Sequence, residues 1–62
     1  MQRQPDSPPY HAPLTIAQCA QRLQVSERTV RRLIAAGRLP AFRIGRLVRI
    51  HSRDLRELER PE

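Results

Sequence analysis

The stretch VSERTVRRLIAAGRLPAFRIGRLVRI, residues 25–50, decides the fold. Ser26 has the oxygen an N-cap needs, and Glu27 follows in a first turn where the helix dipole favours a carboxylate. The spacing predicts a helix from Glu27 to Ala36 in which Val30, Leu33 and Ile34 share one face. Arg28 and Arg32 then lie almost opposite, with Thr29 and Arg31 on the flanks. Gly37 supplies the left-handed terminal position, and Pro40 prevents the helix from resuming. Beyond it, Phe42 and Ile44 alternate with Arg43, and Val48 and Ile50 with Arg49, around Gly45, which predicts a hairpin. Gly45 and Arg46 suit a two-residue type II′ turn, but that pairing leaves apolar residues on both faces. A three-residue loop through Leu47 turns all four inward, and the alternation favours it.

Upstream of this stretch, Thr15 followed by Gln18 matches a capping box, and Ile16, Cys19, Ala20 and Leu23 fall at helical spacing. This predicts a helix from Ile16 to Leu23, with only a very short connection to the next. Downstream, Ser52 is placed to cap a third helix from Arg53 to about Arg60, with Leu55 and Leu58 on one face and Pro61 beyond its end. Residues 1–13 hold Pro5, Pro8, Pro9 and Pro13 and almost no aliphatic side chain, so they are expected to form a disordered or extended tail before a domain of residues 14–60.

The charge is confined to the same decisive stretch. All twelve basic residues are arginine, and the chain carries a formal net charge of +6. Arg28, Arg31, Arg32, Arg38, Arg43, Arg46 and Arg49 face only Glu27 in that segment, which accounts for the whole excess; the five arginines elsewhere are matched by Asp6, Asp54, Glu57, Glu59 and Glu62. A solvated surface is the ordinary explanation of basic residues. Confinement of all the net charge to one central stretch argues instead for a polyanion site.

Size and composition exclude much else. A chain this short buries only about 60% of its unfolded surface, leaving little core from which to build an active site. Cys19 has no second cysteine to pair with, and with only His11 and His51 it makes no metal-ligand spacing; it is expected in the core, and no cofactor or metal is expected. No apolar run is long enough to cross a membrane and no signal-peptide pattern is present, which points to a cytoplasmic protein. Tyr10, the one candidate for a recombinase-type nucleophile, lies between Pro9 and His11 in the tail, where no scaffold would hold it against activating groups. The expectation is a binding protein and not an enzyme.

A helix fits the major groove of DNA, where arginine bonds bidentately to guanine, and an arginine-bearing hairpin reaches phosphates or the minor groove. Ser26, Arg28, Thr29, Arg31 and Arg32 on the helix, and Arg43, Arg46 and Arg49 on the hairpin, are the candidate DNA contacts. Arg38 ranks below them. His51 is expected at the surface, and Arg53, Arg56 and Arg60 with Asp54, Glu57 and Glu59 as a neutral solvated face.

The run from Leu14 to Leu58 resembles the excisionase-type, MerR-like winged helix-turn-helix family. The resemblance rests on Leu14 and Thr15, Ala20, the VSERTVRRLI segment, the GRLPAFRIGR segment, and Arg49, Ile50, Asp54 and Leu55. The chain departs from the family in having Gln18 where glutamate is frequent and Arg31 where an aromatic is frequent. The resemblance implies a mainly α fold with a small β-hairpin wing, the second helix in the major groove and the wing in the adjacent minor groove. It also implies an architectural role: a small phage excisionase, or recombination directionality factor, that binds attachment-site repeats in double-stranded DNA side by side, bends them and helps a phage integrase toward excision. A MerR-type activator would need an effector-binding region and a long dimerisation helix after residue 58. A small prophage transcriptional regulator using the same surface is the alternative.

Overall fold

A computed structural model of the chain describes residues 12–60. Most of the expected tail, with Tyr10 and His11, and the helix-stopping Pro61 lie outside the described residues.

Helix α1 (Ile16–Leu23) opens with the expected reciprocal cap: the Gln18 backbone N–H donates to Thr15 Oγ1 (3.0 Å) and the Thr15 N–H donates to Gln18 Oε1 (2.9 Å). It closes on Gln24, held in the left-handed region at φ 59°, ψ 46°. The Gln24 N–H donates to the Gln21 carbonyl (3.2 Å) and the Val25 N–H to the Ala20 carbonyl (3.0 Å), the two bonds of a Schellman ending. Helix α2 (Glu27–Ala35) follows at once, with Ser26 Oγ accepting the Thr29 N–H at 3.0 Å. It closes in the same way: Gly37, at φ 77°, donates to Ile34 (3.0 Å) and Arg38 donates to Leu33 (2.9 Å). This ending carries the chain back so that Leu39 donates to the Leu33 carbonyl (3.3 Å) and is itself buried.

Strands β1 (Phe42–Ile44) and β2 (Leu47–Arg49) pair antiparallel, with Phe42 opposite Arg49, Arg43 opposite Val48 and Ile44 opposite Leu47. The loop is therefore Gly45–Arg46 alone, and only Gly45 has a positive φ, 62°, as a type II′ turn requires. This corrects the three-residue loop expected from alternation. The shift sends Val48 and Ile50 toward the body of the domain and leaves Ile44 and Leu47 at the tip, 55% and 53% exposed. A wing tip has no facing surface to bury apolar side chains against, so the turn, and not the apolar pattern, sets the register.

After β2 the chain exchanges both backbone bonds between Ile50 and Leu14 (2.8 and 2.9 Å), tying the start of the domain to the base of the wing. Helix α3 (Ser52–Glu59) then begins one residue earlier than expected. His51 occupies the cap position, and Ser52, expected there, is already helical; the His51 carbonyl accepts from the Asp54 and Leu55 N–H groups, and its half-buried ring stacks on Phe42 with centroids 4.5 Å apart. Cys19, Ala20, Val30, Leu39, Ile50 and Leu55 form the core, with Leu14, Ile16, Leu23, Leu33, Ile34 and Leu58 packed around it. Burial pushes the Cys19 thiol pKa up, and the charge of Arg22 opposes this only in part. No helix among the described residues is long and apolar enough to cross a membrane.

Candidate nucleic-acid interface

The core fixes which way the charge points. Val30 is fully buried and Leu33 and Ile34 pack on the core, so Arg28, Arg31 and Arg32 stand exposed on the other sides of α2. Among the described residues no carboxylate lies within ion-pair distance of Arg28, Arg32, Arg38, Arg43, Arg46 or Arg49. Their charge is available to an external anion. Arg31 alone on this surface has a partner, Glu27 one turn earlier at 3.7 Å, in a pair open to solvent and worth little.

The two hydroxyls at the start of α2 are engaged within the protein. Ser26 Oγ caps the helix and lies 3.0 Å from Thr29 Oγ1, and Thr29 is half-buried. They hold the N-terminal turn rigid, which fixes the angle at which Arg28, Arg31 and Arg32 leave the helix. The wing arginines divide by register. Arg46 sits in the turn and is exposed. Arg43, opposite Val48, faces α2, and the two line a cleft with Ile16, Arg31, Ile34 and Ala35. Arg49, opposite Phe42, lies on the other face, half-buried, with one guanidinium nitrogen donating to the Val48 carbonyl at 2.8 Å. The alternation-based register placed Arg43 and Arg49 on one side of the wing; the observed register separates them. Arg38, just past the α2 ending, is exposed beside the same helix end.

The reading of α3 as a balanced surface agrees with Arg60 pairing with Glu57 (2.9 Å) and Arg22 of α1 reaching Glu59 (3.6 Å). The excess positive charge of residues 26–49 is therefore presented by α2, the wing and Arg38 between them.

A tight helix pair with Schellman and N-cap bonds at the turn, followed by a two-stranded wing and a short helix, defines a winged helix-turn-helix. Residues 13–60 match the helix-turn-helix domain family, and the chain belongs to that family in its excisionase-type form. It is similar to the excisionase of Mycobacterium phage D29, with 50% identity over 48 residues that cover 76% of this chain and 86% of the phage protein. It is also similar to a candidate DNA-binding protein found in two strains of Mycobacterium tuberculosis, with 42% identity over 45 residues, 73% of this chain. The matched region spans 58% of the length of those mycobacterial relatives.

Proposed function

We propose that this chain binds duplex DNA through α2 and the wing, and acts as an excisionase that biases integrase-mediated recombination toward excision. The observation that carries DNA binding is the presentation of the +6 excess by α2, the wing and Arg38 between them in a helix-turn-helix domain. Major-groove contacts come from Arg28 and Arg32, which are exposed and unpaired among the described residues, with Ser26 and Thr29 setting the helix start. Arg46 at the wing tip, with Arg43 and Arg49 on its two faces, contacts backbone or minor groove. Support for the excisionase role is the 50% identity to the phage protein across most of its length.

In this role the protein does no bond chemistry. It binds repeats beside the integrase core site, self-associates cooperatively along them and bends the DNA; residues 14–60 form the binding domain and 1–13 a tail. A second reading, a small regulator using the same face at a promoter, draws on the two relatives from a bacterium instead of a phage. A gel-shift titration on the attachment-site DNA of its own integrase, on promoter DNA and on a random duplex separates the two. Cooperative ladders on the attachment site support excision. A single shift confined to promoter DNA supports regulation, and equal weak binding to all three contradicts both.

A further inference from the structure

The cleft between α2 and the wing has a lining that suits one ligand. It has a volume of about 240 Å³ and is lined by Ile16, Arg31, Ile34, Ala35, Arg43 and Val48. Two arginines thus border a hollow otherwise lined by aliphatic side chains. Guanidinium matches the paired oxygens of a phosphate, and an aliphatic surface matches the carbon face of a sugar.

Position narrows the ligand further. In a duplex, each sugar–phosphate strand is the boundary between a major and a minor groove. A protein that lays a helix in one groove and a hairpin in the next must straddle that strand, and the surface between helix and hairpin is where the strand passes. Here that surface is the cleft. We infer that the cleft seats one phosphate of the DNA strand between the two grooves, clamped jointly by Arg31 from α2 and Arg43 from β1. The inference rests on the reading of α2 and the wing as the DNA surface, and it gives Arg31 a role other than reading bases. A phosphate contact positions the helix and carries no sequence information of its own.

The register is what makes the clamp. Arg43 faces α2 because it pairs with Val48 across a two-residue turn. Glu27 competes with phosphate for Arg31: the two lie 3.7 Å apart, with the side chains 62% (Arg31) and 49% (Glu27) exposed. An exposed pair of this kind is weak enough for a phosphate to displace.

The test is fluorescence anisotropy of the full chain on a duplex enriched by selection with the wild-type protein and on a random duplex, across a salt series. Arg31→Ala and Arg43→Ala should weaken binding to both duplexes by the same factor. Because both arginines hold one phosphate, the double variant should flatten the salt slope by about 0.9, the value for a single phosphate, and not by twice that. Ethylation interference should show one phosphate that matters to the wild type and ceases to matter in the double variant. Glu27→Gln should tighten binding to both duplexes about two- to fivefold, the range expected for an exposed pair. All three positions are exposed, and circular dichroism checks that the folds are equal.

A change in discrimination between the two duplexes in Arg31→Ala, a slope change of about 1.8 in the double variant, or no change at all would each overturn the clamp. Arg28→Ala/Arg32→Ala keeps the two readings apart. If that variant loses binding while the cleft variants do not, the clamp fails and the DNA surface stands; if neither set changes binding, the DNA surface itself is wrong.

Discussion

Gln24→Gly should stabilise this protein, although it removes a side chain from a tight turn. Gln24 is the one non-glycine residue among those described with a positive φ, at 59°, and it fills the left-handed slot of the α1 ending that Gly37 fills for α2. Left-handed backbone costs an L-residue roughly 1–2 kcal/mol. Glycine adopts it freely but adds freedom to the unfolded chain, which takes back roughly 0.4–1 kcal/mol. The side chain is exposed, so no buried contact is lost. The net gain is about 1 kcal/mol, a large share of the roughly 2–7 kcal/mol expected for a domain of this size. Thermal unfolding followed by circular dichroism should show the midpoint rise by roughly 4–8 °C. An unchanged or lowered midpoint with a native spectrum would refute the assignment of strain to this turn.

Other substitutions probe the wing, the core and the charged face. Gly45→Ala should cost about 1–2 kcal/mol in urea unfolding from backbone strain alone, since an added Cβ would meet no atom within 4 Å. Ile44→Ala should cost less than about 1 kcal/mol because the side chain is half exposed, whereas Ile50→Ala, fully buried, should cost about 2–5 kcal/mol and abolish cooperative unfolding. The Cys19 thiol should resist thiol reagents until the domain unfolds. Its raised pKa favours the folded state below the ordinary thiol pKa of about 8.5, and that contribution is lost as pH rises through the higher folded value, so Cys19→Ala should flatten the alkaline loss of stability. Arg32→Ala should lose about 1–3 kcal/mol of discrimination between selected and random duplexes, while Arg46→Ala should weaken both equally and flatten the salt slope by about one unit. Competition titrations measure both.

The parts of this fold that were legible in the sequence are those set by near neighbours in the chain. Thr15 with Gln18, Ser26 with Thr29, and Gly37 with Ile34 are contacts across three residues, and the helix faces follow from a fixed period. Gln24 carried no such signal, because glutamine seldom takes a left-handed backbone and nothing in its type announces it. Leu39 lies in an aperiodic loop and is buried only because the α2 ending turns it back. The Leu14–Ile50 pairing joins distant residues and has no local mark. His51 displaced Ser52 from the cap because its ring stacks on Phe42, a contact made only once the wing has folded. The hairpin register went the wrong way for a related reason: alternation presumes that one face meets a core, and the wing tip meets none. For the site, confinement of charge was visible in composition. Its division into a tip arginine, an inward Arg43 and an outward Arg49 depends on register and was not.

The most direct measurement is the salt dependence of binding to a short duplex, for the wild type and for Arg28→Ala/Arg32→Ala, between about 50 and 200 mM salt. If α2 and the wing engage about four backbone phosphates, log K should fall against log salt with a slope of about −3.6, a loss of roughly 150-fold across that range, and the double variant should bind far more weakly at every salt concentration. A slope near zero, or a double variant that binds like the wild type, would contradict the claim that this face holds DNA.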